Sequence, residues 1–264
     1  GYQTNVKNIG IIEVHTDNGL VGFGETYAGV YCAELIEPTV KYLETHLIGL
    51  DLNNTDIINN LPFIGRSGLI KCIYSGIDIA IHDILSKNKN IPLYEYLGGK
   101  DTDIKLYASN GSAKFSPKQI EDDVKHILDL GYTSYKMRIG AKSKIKIAGG
   151  ESLNQYLEFK LYKDKKSVDV IQPDVTNSGG IIECAKVVNI FGNQNTAMHV
   201  WGSQVAINAN KHFAKAYNVS YLEVPLMELE INDHIKGNGT GIDINITEDI
   251  KLRYRLKNKI DFRI

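Results

Sequence analysis

Cysteine is scarce in this chain: Cys32, Cys72 and Cys184 are the only three among 264 residues. They form no C-x-x-C pair, and their odd number and wide scatter argue against a disulfide framework. A reducing cytoplasm is the expected compartment. Excess charge is lacking too, since 30 Lys and Arg stand against 31 Asp and Glu, for a net charge of −1. That balance gives no reason to expect nucleic acid or an acidic membrane as partner. No apolar run approaches the ~20 residues of a membrane span, and no N-terminal signal pattern is read. Low-complexity linkers and short-period repeats are also missing. What remains, 43% hydrophobic and 23% charged residues, is the composition of an ordinary globular enzyme of one large domain or two modest ones.

Residues 9–15 and 20–25 are apolar-rich runs flanking Asp17-Asn18-Gly19, a hairpin signal. Helical patterns follow over about 31–47 and 68–87. In the second, Leu69, Ile70, Ile73, Ile77, Ala80, Ile81, Ile84 and Leu85 recur at three- and four-residue steps. Gly98-Gly99 marks a boundary. Beyond it strands at 104–108, 132–138, 144–149, 168–173, 196–200 and 220–223 alternate with helices at about 117–130, 152–164, 179–191 and 203–217. Such βα alternation predicts a parallel sheet with helices outside it. The tail from 226 reads as irregular and polar. The expected division is a capping domain over 1–100, a barrel over 101–225, and a segment 226–264 that returns to the cap.

Five of the apolar runs end in an ionisable residue: Lys136 and Arg138, Glu151, Asp174, His199 and Glu223. In an α/β barrel the C-terminal ends of the strands are where catalytic groups collect. One junction breaks the rhythm. Only thirteen steps separate Arg138 from Glu151, which leaves no room for the helix that joins two parallel strands.

The order of motifs resembles the enolase superfamily, and within it the acid-sugar dehydratases and racemases of the mandelate racemase subgroup. Ser75-Gly76-Ile77-Asp78-Ile79-Ala80-Ile81-His82-Asp83, then Pro92-Leu93-Tyr94 and Leu97-Gly98-Gly99, resemble the capping-domain helix and its exit. Lys136-Met137-Arg138 resembles the motif closing the second barrel strand, and Ala148-Gly149-Gly150-Glu151 that of the fifth. Gln172-Pro173-Asp174, His199-Val200-Trp201-Gly202-Ser203 and Leu222-Glu223 resemble the sixth, seventh and eighth. The resemblance implies an α/β fold, a modified eight-strand (β/α) barrel with an α+β cap. It also implies a first strand and a specificity loop ahead of Gly1. Two barrel strands with their helices, the third and fourth, are absent from these 264 residues. At roughly 30 residues per unit they amount to about 60. The expectation is that ordered segments are joined here across a missing stretch, because a six-stranded barrel would expose apolar edges. If the deletion is genuine, the chain is a non-catalytic relic or a binding module.

The reaction implied is removal of the proton α to a carboxylate of a small sugar acid, with dehydration ranked above racemisation or cycloisomerisation. Mg²⁺ is the implied cofactor, held by Glu151 and two carboxylates on the missing strands. A homo-oligomer, dimer or octamer, is implied as well. For Glu151 the plainer alternative is a charge at the start of a helix near Ser152. Asp174 and His199 lie one βα unit apart, so they form an Asp–His pair suited to a general base, although Asp174 also fits a turn after Pro173. The i, i+2 spacing turns Lys136 and Arg138 to one side of a strand, toward a bound anion or out into solvent. Arginine is a poor base, which disfavours a two-base racemase. Glu223 is either a contact to the substrate carboxylate or a rim ion pair. Tyr27 and Tyr31, in a loop that the resemblance places over the site, and Asn110, at the end of the first barrel strand, complete the substrate-binding candidates.

Overall fold

The computed structural model describes residues 8–53, 57, 61–62, 68–110, 115–137, 146–226, 235–237, 242–244 and 259–262, with the backbone alone in the last three. The chain opens with a hairpin of β1 (Gly10–Thr16) and β2 (Val21–Thr26). Inward and outward residues alternate along β1, as a half-buried strand requires. Gly19 takes the left-handed φ of 87° that the turn demands. The predicted helix over 31–47 is broken into α1 (Ala28–Cys32), a single 3₁₀ turn at Ala33–Leu35, and α2 (Ile36–Leu47).

The long helix α3 (Gly68–Asn88) is buried over most of its length. Apolar residues on all sides of a helix are the mark of a buried one. Ile73, Ile77, Ile81 and Ile84 join the core under β1 and α2, while Ile79 belongs to the core of the parallel sheet. Gly22 and Gly24 let β2 lie directly on α3, where a Cβ would stand 2.1 Å from the Ala80 carbonyl oxygen or 1.9 Å from that of Gly76.

After α4 (Leu93–Tyr96) the βα series runs β3 (Lys105–Ser109), α5 (Pro117–Asp129), β4 (Tyr135–Lys136), β5 (Ala148–Gly149), α6 (Tyr156–Asp164), β6 (Val170–Ile171), α7 (Gly180–Phe191), β7 (Ala197–Met198), α8 (Gln204–Ala216) and β8 (Tyr221–Pro225). Sequence cues set several of these boundaries. Ser116 and Gln119 form a reciprocal capping box before Pro117 at the head of α5.

Strands β4, β3, β8 and β7 form one parallel sheet in that order, and β5 pairs in parallel with β6. A single bridge between Ile171 and Thr196 links the two groups. Six barrel strands thus follow one another around an arc. Among the described residues β4 pairs only with β3, and β5 only with β6. Among the described residues no strand pairs with β4 or β5 on the edge where a third and fourth strand would lie. The junction expected to be anomalous, 138–145, lies outside the described residues, and Arg138 with it.

Three differences from the sequence reading stand out. Strands predicted at 132–138 and 168–173 form ladders of only two residues each, because hydrogen-bonded partners set ladder length and apolar runs do not. The helix expected from 152 begins at Tyr156, after Gln155 and Glu158 cap it. The tail is not wholly irregular: β9 (Ile235–Gly237) pairs with β10 (Ile242–Ile244), and β11 (Lys259–Phe262) adds in parallel to β1. Among the described residues no helix is long and apolar enough to cross a membrane.

Candidate active site

Asp174 follows β6 and is wholly buried. Its Oδ1 accepts from the Thr176 N–H at 2.9 Å, the Thr176 hydroxyl at 2.8 Å and the Asn210 amide at 3.0 Å. The other oxygen faces His199 Nδ1 at 3.0 Å. A carboxylate that already gathers donors accepts here too, so the Nδ1 proton points at Asp174 and Nε2 is left as the basic nitrogen. Asp174 therefore serves as turn residue and as histidine partner at once. Burial pulls the His199 pKa down, but the Asp174 hydrogen bond and the charges of Glu223 and Asp174 outweigh it, and the pKa is raised.

His199 Nε2 lies 3.7 Å from Glu151. Glu151 is reached through Gly150, whose φ of 107° turns the chain sharply after β5. With α6 starting only at Tyr156, Glu151 is not an N-terminal charge of that helix. The Lys136 ammonium donates to Glu151 Oε2 at 2.8 Å and to both oxygens of Glu223, at 3.0 and 3.1 Å. Lys136, Glu151, Asp174, His199 and Glu223 thus share one rim of the sheet.

Two further residues support this rim from beneath, and neither was a sequence candidate. Tyr107 stands beside Glu223 in the β3–β8 register, and its buried hydroxyl reaches Glu223 Oε2 at 3.1 Å. Gln172 donates to that hydroxyl at 2.8 Å. Burial first, and then the Glu223 charge, raise the Tyr107 pKa. No alternation along β3 singles out Tyr107, since burial there runs exposed, exposed, buried, buried, half-buried.

Tyr27 initiates α1, its backbone N–H bonding the Thr176 carbonyl at 3.0 Å, with its ring centroid 6.2 Å from that of His199. Tyr31 packs on Tyr27 at 5.0 Å and remains well exposed. Both phenols are pushed above the usual range, chiefly by burial. Asn110 follows β3 in an exposed position, and its amide donates to Asp123 on α5 at 2.5 Å. Arg138 lies outside the described residues.

The cap reaches the site through carboxylates that the sequence reading passed over. Glu25 of β2 accepts from the Ser203 N–H at 3.1 Å, the Ser203 hydroxyl at 2.6 Å and the Ala206 N–H at 3.1 Å, at the head of α8. Asp78 of α3 accepts from the Ile181 N–H at 2.5 Å at the head of α7. Both place a carboxylate on the positive end of a barrel helix. Full burial raises the Glu25 pKa to about 7, against the opposing pull of the Ser203 and Ala206 bonds.

Among the described residues the donor set does not fit Mg²⁺. Among the described residues no group of three His, Cys, Asp or Glu stands ready to hold a metal. Glu151 is paired with the Lys136 ammonium, and segment 138–145 contains no acid, histidine or cysteine. Magnesium demands near-octahedral oxygen ligation, which one lysine-bound carboxylate does not supply.

An arc of parallel strands with outer helices, an α+β cap and ionisable groups gathered at the strand ends defines an α/β-barrel scaffold. The chain belongs to the enolase superfamily, of the mandelate racemase/muconate lactonizing type: residues 3–98 match the N-terminal domain of that family and 101–245 match the enolase C-terminal domain-like family. It is 23% identical to an arabinonate dehydratase of Saccharolobus solfataricus, across 92% of this chain and 86% of that protein. That alignment runs over 321 positions, well beyond the number of residues in this chain, so the relative carries positions with no counterpart here. A hydrophobic dipeptide epimerase of Enterococcus faecalis is 28% identical across 56% of this chain and 42% of its own length. The fold is shared with a 3,6-anhydro-D-galactonate cycloisomerase from Zobellia galactanivorans, with a TM-score of 0.76, 20% identity, and coverage of 95% of this chain and 94% of that one.

Proposed function

We propose that the chain binds a sugar acid and removes the proton α to its carboxylate, with loss of the β-hydroxyl to follow. The observation that carries this reading is the buried Asp174–His199 pair, with Nε2 turned toward Glu151. His199 Nε2 takes the α-proton and the Cα–H electrons form the enediolate. The β C–O bond then breaks, and the hydroxyl leaves as water with the proton returned by His199 in a syn elimination. The enol tautomerises to a 2-keto-3-deoxy acid. Lys136 is the described cation nearest the developing charge, and no step runs through a metal.

Relatives that bear dehydratase, epimerase and cycloisomerase names support the general class, and dehydration ranks first among these reactions because one good base suffices for it. Arginine at 138 is a poor second base for racemisation. Free cysteines fit a cytoplasmic site of action, and the single small-molecule partner would be the sugar acid. The second reading is a sugar-acid binding module without turnover, favoured by the shortage of metal ligands among the described residues.

The deciding experiment incubates the protein with mono- and diacid sugars in D₂O, following α-deuterium by NMR and 2-keto product by colour reaction. The enzymatic reading expects both, with His199→Asn silent. Saturable binding without exchange gives the binding module, and exchange without keto product moves epimerisation to first place.

A further inference from the structure

We infer that Lys136 is the resident cation of this site: its ammonium links Glu151 and Glu223 across three separate strands and makes the chain independent of magnesium. The inference stands apart from the proposed reaction, since it concerns what holds the carboxylates together and not what they do to a substrate.

Two carboxylates that meet at one rim repel each other unless a positive charge lies between them. Here that charge is the Lys136 Nζ, 2.8 Å from Glu151 and 3.0 Å from Glu223, with the lysine and Glu223 side chains largely buried. Burial makes the pairing obligatory, because a buried carboxylate without a partner is costly. The three anchors come from different places. Lys136 ends β4, Glu151 follows β5, and Glu223 lies within β8. Strands β4 and β5 share no ladder among the described residues, so there the Lys136–Glu151 contact joins them where backbone pairing does not. Tyr107, itself held by Gln172, fixes Glu223 from below and so fixes where the ammonium must sit.

A dication and an ammonium compete for the same oxygens. The ammonium is tethered, so its effective concentration at the site is high and constant. With no acid or histidine in segment 138–145, nothing in the stretch between these strands adds ligands that would tip the balance toward the ion.

The test uses the full chain, stripped with EDTA and dialysed. Magnesium chloride is titrated calorimetrically through the low-millimolar range, and melting is recorded in EDTA and in magnesium. The expected result is no saturable heat and the same melting temperature in both, with Lys136→Met melting several degrees lower than the parent. A saturable one-to-one magnesium heat that Glu151→Gln removes would overturn the inference. So would a Lys136→Met protein that melts with the parent. Should that variant yield no folded protein, the titration of the parent decides alone. Failure of α-deuterium exchange bears on the reaction and leaves this measurement untouched.

Discussion

Along β6, β7 and β8 the sheet is covered by α7 and α8, and its functional groups are held from several sides. Asp174 alone takes four hydrogen bonds there, counting the one from His199. Among the described residues the arc ends at β4 and β5, and Met137 and Ile147 beside those strands are exposed, as are Leu157 and Leu161 on α6. A parallel sheet is normally covered on both faces and rarely leaves an apolar edge bare. The packed half therefore preorganises its site through backbone and buried side chains. The open half relies on one lysine.

The largest expected effect falls on the packed half. His199→Asn is expected to lower α-deuterium exchange by at least about 10³-fold, since it removes the base that takes the α-proton. Melting should change little, because asparagine still donates to Asp174. Asp174→Asn removes the charge and the orienting acceptor, and exchange should fall by about 10²-fold or more with the fold retained. If either variant exchanges like the parent, the dyad is a structural feature only.

Helix α6 allows the two environments to be compared within one element. Phe159 is fully buried against Ile171, Val187 and Phe191, and Phe159→Ala should cost about 3–5 kcal/mol in urea unfolding. Leu157, two residues away, is exposed, and Leu157→Gln should change stability by no more than about 0.5 kcal/mol. A large loss at Leu157 would show that the open edge is covered in solution.

Glu25 links stability to pH. Its folded pKa of about 7 lies above the 4.5 of a free glutamate, so the native state binds a proton that the unfolded chain has released. Stability should therefore decline as pH rises between those values, by about 3 kcal/mol in all, and level off above 7. Glu25→Gln should flatten that slope when melting is followed from pH 5 to 8. An unchanged slope would mean that the Ser203 and Ala206 donors keep Glu25 ionised.

Local pattern carried far in this chain. The periodicity over 68–87 and 117–130 marks α3 and α5 to within a residue at each end, because helix formation depends on neighbours three and four positions away. The strand-end acids and bases were legible for a similar reason: alternation and glycine placement are local, and the order of motifs is written along the chain. The hairpin turn at Asp17-Asn18-Gly19 belongs to the same class.

Partners distant in sequence were not legible. Glu25 meets Ser203, and Asp78 meets Ile181, more than a hundred residues away in each case, and nothing near either acid announces a helix terminus. Tyr107 and Gln172 beneath Glu223, and the sharing of Lys136 between Glu151 and Glu223, are likewise matters of which strands lie side by side. The sequence by itself determined the βα order, the family and the residue types at the strand ends, since each depends on short-range pattern. Tertiary structure alone decided which of those charges face one another, because electrostatic pairing and burial act through space and are blind to chain distance.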